Sequence, residues 1–355
     1  MRMQCHSAWL LAAPLGFALT ISTADAGPRS HKPHPTRLAS GLQGPTGSTI
    51  GPGDDLYVAE GAAGRISRID PKTGQVTTFA SGLPRAIVGI GGPMDVAFIG
   101  DTAYVLVTLV GSDVGGDDVV GIYRIDGPTS FTVVADIGEF SLRHPPNTPF
   151  FIPTGVQYAL ESYRGGFLVT DGHHNRVLRV TREGEVAEWI AFDNIVPTGL
   201  AVSGARVYVA QAGPVPHLPA DGRVVAVKAK AQTVTEIAAG APLLVDVEFG
   251  RGHRLYALSQ GYFPPGNAEG SPAEPHTGAL VRARGDGTFT VVADRLNQPT
   301  SLEFIGRSAY IVSFAGDVWK LDGVTSRKDE VDEDDASERD SRTATPRRSP
   351  GSRER

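Results

Sequence analysis

Cysteine is almost absent from this 355-residue chain. The one cysteine, Cys5, lies within the first 26 residues. Beyond that segment neither disulfide bonds nor thiol chemistry can contribute to the fold or the function. No apolar run after residue 26 approaches the twenty or so residues of a membrane-spanning helix. The net charge is -6 and there is no basic stripe, so nucleic acid is excluded as an expected partner.

Several enzyme motifs are also missing. The sequence has no Gly-x-Ser-x-Gly elbow, no HExxH pair and no phosphate-binding loop. Nothing in the sequence therefore demonstrates catalysis, and no catalytic residue is predicted.

The first 26 residues have the pattern of a secretory signal peptide. Arg2 supplies the positive charge, residues 9–21 form a short apolar segment, and Ala24-Asp25-Ala26 fits a cleavage site. We therefore predict a secreted or periplasmic protein, with no membrane span after cleavage. Residues 27–35, rich in Pro, His and Gly, are predicted to be a disordered linker. Residues 323–355 are predicted to be a disordered tail, since acidic and basic blocks with few apolar residues cannot form a core.

A unit of about fifty residues recurs along the chain, as in repeat architectures. Each copy opens with a short apolar segment, and the opening residues are Pro45, Pro93, Pro153, Pro197, Leu244 and Pro299. A Tyr-centred or aromatic segment such as Leu56-Tyr57-Val58-Ala59 follows, and then a segment in which apolar and polar residues alternate. These compositions and the period of two predict strands.

A fourth strand is predicted in only five copies, because the sixth copy ends at Asp322. A matching segment, 36–40, stands before the first copy. The sequence therefore predicts an all-β fold, a six-bladed β-propeller of four-stranded blades over residues 36–322, whose ring is closed by the N-terminal strand. A seven-bladed ring is the alternative.

Strand order predicts where a ligand binds. In antiparallel four-stranded blades, the connections between strands two and three and those between blades lie on one face, and the long connections (110–118, 140–151, 211–221 and 260–277) are all of these kinds. Polar residues at the starts of first strands and at the ends of second strands should ring the channel on this loop face. The candidate ligand-binding residues are Thr46, Glu60, Asp95, Thr154, Asp171, Thr198, Gln211, Asp246, Gln260 and Thr300. Their alternative role is structural, since Thr and Asp at strand corners often bind neighbouring backbone groups.

A divalent cation, calcium or magnesium, is the candidate cofactor. Asp95 and Asp246 could share it across the channel, and a second candidate group is Asp113, Asp117 and Asp118, whose oxygens suit calcium. The pair His173-His174 could bind a metal or act as a base, but its position between a second and a third strand favours a plain loop role.

The repeat segments resemble those of a known family. Segments such as Leu38-Ala39-Ser40-Gly41-Leu42, Leu56-Tyr57-Val58-Ala59-Glu60 and Val196-Pro197-Thr198-Gly199-Leu200 are similar to the ScyD/ScyE family of exported bacterial propellers, relatives of NHL-repeat proteins. The resemblance covers residues 36–322 and implies an exported propeller without an assigned reaction. We therefore expect a monomeric binding or scaffold protein whose partner is a small polar molecule or an extracytoplasmic protein.

The enzymatic alternative is a metal-dependent lactonase or hydrolase of the gluconolactonase type, also six-bladed. Resemblance to that family would imply a channel metal held by Glu, Asn and Asp side chains. Asp95 and Asp246 fit that set, but Thr46, Thr154 and Thr198 stand where its other ligands would be. A quinone-dependent sugar dehydrogenase is a second alternative, and its histidine and arginine contacts cannot be assembled from this sequence.

Overall fold

The structure is a computed structural model that describes residues 33–268 and 270–324. Twenty-four strands form six antiparallel sheets of four, arranged as a ring, so the predicted six-bladed propeller is confirmed and the seven-bladed alternative is wrong. In chain order the strands are β1 Pro35–Ala39, β2 Pro45–Ile50, β3 Leu56–Glu60, β4 Arg65–Ile69, β5 Val76–Ser81, β6 Gly92–Ile99, β7 Thr102–Thr108, β8 Gly121–Gly127, β9 Ser130–Asp136, β10 Gln157–Tyr163, β11 Gly166–Asp171, β12 Arg176–Val180, β13 Val186–Ala191, β14 Pro197–Ser203, β15 Arg206–Gln211, β16 Arg223–Lys228, β17 Thr233–Ala239, β18 Leu244–Gly250, β19 Arg254–Ser259, β20 Gly278–Ala283, β21 Phe289–Leu296, β22 Pro299–Ile305, β23 Ser308–Ser313 and β24 Asp317–Leu321.

Blades one to five are β2–β5, β6–β9, β10–β13, β14–β17 and β18–β21, and blade six is β22–β24 with β1. Helical structure among the described residues is limited to α1, Ile137–Arg143, and three single 3-10 turns, at Pro52–Asp54, Ser112–Val114 and Arg251–His253. The sequence analysis treated the segment of α1 as part of a loop. The side chain of Asp136 caps this helix by accepting a hydrogen bond from the Glu139 amide.

Burial in each blade follows strand position. The second strands, predicted from their β-branched and aromatic residues, are almost wholly buried, as Leu56–Glu60 and Gly166–Asp171 illustrate. The outermost strands, such as Val76–Ser81, are largely exposed along their first half. The inner strand of every blade carries a β-bulge within its first four residues, next to the channel. Bulges of this kind re-aim side chains and often lie beside functional sites.

The core consists of six main apolar clusters, and each lies between two neighbouring blades. The cluster between blades one and two contains Tyr57 and Val105, for example, and the cluster between blades six and one contains Val58 and Tyr310. Because every blade buries both of its faces against neighbours, an open end of the ring would expose a large apolar surface.

The N-terminal strand belongs to the last blade. β1 pairs antiparallel with β24, with Pro35 opposite Leu321 and Thr36 opposite Lys320, so it supplies the fourth strand that the sixth repeat lacks. Ala39 and Leu42 are buried in the cluster between blades six and one. That this pairing holds the ring closed stays a prediction.

The third repeat differs from its predicted register. The first strand of the third repeat was predicted to begin at Pro153, but β10 begins at Gln157. Gln157 pairs with Asp171 in the same way that Pro197 pairs with Gln211 in blade four. The predicted start was four residues early because the Pro-Thr-Gly at 153–155 forms a turn before the strand.

The predicted signal peptide lies outside the described residues, and the predicted linker and tail lie largely outside them. Export and these boundaries stay predictions. Within residues 33–268 and 270–324, α1 is the longest helix and no helix has the length and apolarity needed to cross a membrane.

Candidate functional site

The channel at the centre of the ring contains a cavity of about 180 Å³. Since one water molecule needs roughly 10–15 Å³ of such space, the cavity can hold a cluster of waters or a small ligand. Its upper wall consists of segments that belong to the loop face, including Ile90, Val196, Leu243 and Phe314. Its lower wall consists of the inner strands of the blades.

The structure brings six of the ten predicted ligand-binding residues together around this cavity: Thr46, Asp95, Thr198, Asp246, Gln260 and Thr300. The other four, Glu60, Thr154, Asp171 and Gln211, do not line it. Glu60, Asp171 and Gln211 lie at the ends of second strands, one position outward from the inner strands.

The three threonines at the channel join neighbouring blades. The hydroxyl of Thr46 donates to the carbonyl oxygen of Met94 at 2.7 Å, and that of Thr198 donates to Leu244 at 2.8 Å. The hydroxyl of Thr300 donates to the carbonyl of Thr46 at 2.9 Å, so blade six is tied to blade one. This is the structural role that the sequence analysis weighed as their alternative.

Asp95 and Asp246 also tie blades together. Asp95 in blade two accepts the amide of Leu160 in blade three at 2.7 Å, and Asp246 in blade five accepts the amide of Leu302 in blade six at the same distance. Each carboxylate also accepts the amide of its own following residue at 2.8 Å. Blades two and five stand opposite each other in a ring of six, and each aspartate binds the backbone of the blade that follows it.

The glycine of the Pro-Thr-Gly motif gives these aspartates their space. A Cβ atom at Gly47 would collide with the carboxylate of Asp95, and one at Gly199 would collide with Asp246. The contact of Gly47 in blade one with Asp95 in blade two has a counterpart in the contact of Gly199 in blade four with Asp246 in blade five. The two halves of the ring, of three blades each, are therefore similar in this feature.

The buried charges at the ends of the second strands pair within their own blades. Asp171 accepts from Arg176 Nε at 3.0 Å and from the Gln157 amide at 3.1 Å, and it lies 3.0 Å from His174 Nδ1. Glu60 pairs in the same way with Arg65 Nε at 2.8 Å. Both carboxylates are fully buried, so these interactions satisfy them inside the blades.

Three glutamates in the channel were missed by the sequence analysis. The residues that pair with the centre of each second strand are Thr49, Ala97, Glu161, Ala201, Glu248 and Glu303. Glu161, Glu248 and Glu303 therefore share one level of the channel, and all three line the cavity. Glu248 and Glu303 each lie four residues after the opening residue of their repeat, so an alignment of the repeats on those opening residues places them at one level. The misplaced start of the third repeat concealed Glu161.

The five channel carboxyls all have raised pKa values. Burial is the largest cause in each case, and repulsion from the other channel carboxylates adds to it for Asp95, Glu161, Glu248 and Glu303. Burial raises the pKa of Asp246 to about 7, and burial with the nearby Asp246 raises that of Glu161 to about 7. The pKa values of Asp95, Glu248 and Glu303 are also well above their ordinary values. The channel thus gains negative charge as the pH rises through neutrality.

Stability should fall as these carboxyls ionise. A carboxyl whose pKa is raised by folding stabilises the folded state below its unfolded pKa, near 4, and loses that contribution as pH rises through the folded value, about 7 for Glu161 and Asp246. We expect the melting temperature to fall by several degrees between pH 5.5 and 8.5.

The variant Glu248→Gln/Glu303→Gln should show a flatter dependence, because two ionising groups are gone. Thermal unfolding at constant ionic strength measures both, and the exposed pair Glu183→Gln/Glu185→Gln is the matched control. The histidines His173 and His217, whose pKa values are lowered by burial, titrate in every variant and cancel in the comparison. Identical slopes for wild type and the channel variant would contradict the prediction.

No metal-binding group emerges among the described residues. Nowhere in residues 33–268 and 270–324 do three or more His, Cys, Asp or Glu side chains form a group that could coordinate a metal ion. Asp113 instead accepts the Thr154 amide at 2.9 Å and its hydroxyl at 2.7 Å, while Asp117 and Asp118 are exposed. A shared cation at Asp95 and Asp246 therefore stays a proposal.

The pair His173-His174 anchors the connection between blades two and three. Nε2 of His173 accepts the amides of Phe151 at 2.9 Å and Ile152 at 3.2 Å. Nε2 of His174 lies 3.0 Å from the carbonyl oxygen of Ile152. These contacts agree with the loop role that their position suggested.

His217, which the sequence analysis did not select, reaches the channel from the connection between β15 and β16. It is buried, its Nδ1 lies 2.7 Å from the Gly213 carbonyl oxygen, and its ring meets that of Phe263 edge-on. Burial lowers its pKa, so it is neutral at pH 7. Among the described residues that line the cavity there is no Lys or Arg.

Comparison with known proteins establishes the fold alone. The sequence matches no family model and no curated protein. Solved six-bladed propellers are similar in structure. A gluconolactonase from Xanthomonas campestris has a TM-score of 0.56 at 13% identity over 81% of this chain and 89% of its own. The calcium-binding protein regucalcin from Agrobacterium tumefaciens has 0.55 at 14% identity, over 81% and 93%. Virginiamycin B lyase from Staphylococcus aureus has 0.51 at 14% identity, over 81% and 98%.

Proposed function

We propose that this protein is an exported binding propeller, related to the ScyD/ScyE family, that holds a small polar ligand in its central channel. One observation carries the proposal: a cavity at the loop face on which six of the ten predicted polar residues converge. Cavities of this kind, concave and lined by apolar walls with a few convergent polar groups, are the usual form of small-molecule sites.

A binding role is better supported than the lactonase alternative. Thr46 and Thr198, which stand at two of its other ligand positions, donate to backbone carbonyls of the next blade. Thr154 precedes the inner strand of blade three and does not line the cavity. The residues described at the cavity include no Lys or Arg that could stabilise the negative charge of an opening lactone or hold a sugar acid.

The test is a channel-filling variant. Thr49 lines the cavity on an inner strand, so Thr49→Phe should occupy channel volume without changing charge. Its matched control is Thr235→Phe on an exposed outer strand. A thermal-shift library should contain amines, sugars, lactones, sugar acids, calcium and magnesium.

We expect at least one compound to raise the melting temperature of wild type and of Thr235→Phe by several degrees, and to leave Thr49→Phe unchanged. Circular dichroism establishes that both variants are folded. A library without any stabilising compound, or a ligand that stabilises Thr49→Phe as strongly as wild type, would contradict the proposal.

A further inference from the structure

The cavity has two chemically different ends. Segments at the loop face supply apolar side chains around its mouth: Ile90, Met94, Val196, Leu243, Val245 and Phe314. Deeper along the inner strands lie the carboxyls of Glu161, Glu248 and Glu303. Along blade five, Val245 and Leu243 precede Glu248 by three and five residues, so the two levels are roughly 10–16 Å apart at 3.3 Å per residue.

Two of the deep carboxyls have no internal partner. Asp95 and Asp246 are occupied by backbone amides of the neighbouring blades. Glu161 and Glu303 receive no hydrogen bond from any described residue, although burial penalises their charge. Carboxyls placed in this way, facing a cavity in which no described Lys or Arg balances them, are poised for a donor that comes from outside the chain.

Further apolar side chains are exposed on the same face of the ring. Of the twelve large apolar side chains that are exposed among residues 33–268 and 270–324, eight lie on connections of the loop face, among them Ile87, Phe151 at 62% exposure, Leu218 and Tyr262. The other four are single valines on the outermost strands of different blades. Exposed apolar side chains that concentrate on one face of a protein favour a recognition surface on that face.

We propose that the ligand is an organic cation, with its ammonium group among Glu161, Glu248 and Glu303 and its apolar body against the mouth of the channel. The proposal rests on the proposed function and specifies its ligand class. An ammonium group brings the hydrogen-bond donors and the positive charge that the deep carboxyls lack, and the apolar body replaces water at the mouth. A carboxylate or phosphate ligand would instead meet like charge at the bottom of the channel.

Three probes with the same body separate the charge classes: 4-phenylbutylamine, 4-phenylbutan-1-ol and 4-phenylbutyrate. Titration calorimetry at pH 8 should give an affinity for the amine at least tenfold above that for the alcohol, and no detectable binding of the carboxylate. Shortening the linker of the amine by one methylene should weaken binding by about fourfold. Amine binding should strengthen from pH 6 to pH 8, because Glu161 and Asp246 ionise near pH 7 while the amine, with a pKa near 10, remains charged.

Two variants locate the binding. Glu161→Gln/Glu303→Gln should lower the affinity for 4-phenylbutylamine at least tenfold, whereas the exposed pair Glu183→Gln/Glu185→Gln should not change it. Thr49→Lys places a tethered ammonium group at the level of the glutamates and should abolish amine binding, whereas Thr235→Lys should retain it. The melting temperature of Thr49→Lys at pH 8 should equal or exceed that of wild type, which establishes that it is folded.

The inference is overturned if the alcohol or the carboxylate binds as tightly as the amine, if none of the three probes binds at millimolar concentration, or if the amine binds both channel variants as it binds wild type. These results are distinct from failure of the proposed function. If neutral or anionic ligands bind and Thr49→Phe blocks them, the channel is a binding site for another class of ligand.

Discussion

Removal of residues 27–40 from a chain that begins at residue 27 should lower the melting temperature by roughly 10–20 °C. The deletion removes β1 and leaves β24 as an unpaired edge, so Val318 and Leu321, both fully buried, lose part of their cover. Loss of Leu38 and Ala39 from the cluster between blades six and one adds to this. Two or three side chains at 1.5–3 kcal/mol each suggest about 5 kcal/mol, and each kcal/mol corresponds to about 2–4 °C in a domain of this size.

The matched control is deletion of residues 325–355, which should change the melting temperature by less than about 2 °C, because a charged tail with few apolar residues adds little to a core. Differential scanning calorimetry of the two truncated proteins beside the intact chain measures both effects. Equal effects of the two deletions would contradict closure of the ring by the N-terminal strand.

Replacement of Asp171 by Ala should destabilise the protein by about 3–5 kcal/mol, because it removes the buried carboxylate beside the guanidinium of Arg176 and leaves only the half-exposed Glu188, at 3.8 Å, as a carboxylate partner. Arg176 is 1% exposed and Asp171 is fully buried. The comparable exposed pair is Arg284 with Asp286, in which each side chain is more than half exposed. Asp286→Ala should therefore change the free energy of unfolding far less than Asp171→Ala does.

A second replacement at Arg176 tests the cause. Asp171→Ala/Arg176→Met should recover part of the lost stability, because both buried charges are then absent and the methionine retains apolar volume. Urea unfolding of the three variants gives the free energies. A cost for Asp171→Ala as small as that for Asp286→Ala would refute the structural role and restore Asp171 as a residue available to a ligand.

Much of the fold could be predicted because the repeat is encoded in the composition and the spacing of short segments. Tyr-centred strands such as β3 and β23 have compositions that favour strands, and their near-constant spacing defines the number of blades. Helix α1 was missed although Asp136 and Glu139, three residues apart, form the usual signal of a helix start. Its second half lies in the segment 140–151, which was predicted as a long connection between blades.

The candidate site was less predictable because it depends on register. In a strand with alternating apolar and polar residues, the polar residues are expected to face solvent. Glu248 and Glu303 were therefore not predicted as channel residues, because their common level depends on the register of the inner strands. The role of Asp95 depends on the Leu160 amide, 65 positions away in the chain, and local sequence does not contain that contact. Asp171 was predicted to lie at the channel rim because it ends a second strand. That strand lies within the blade and not at the channel.

The central claim is that the channel is a ligand-binding site, and a crystal structure of the protein soaked with 4-phenylbutylamine at pH 8 tests it most directly. The account predicts density along the channel, with the amine nitrogen about 3 Å from carboxylate oxygens of Glu161 or Glu303 and the phenyl ring near Leu243 and Phe314. An empty channel in crystals soaked well above the measured dissociation constant, or density confined to another part of the surface, would contradict it.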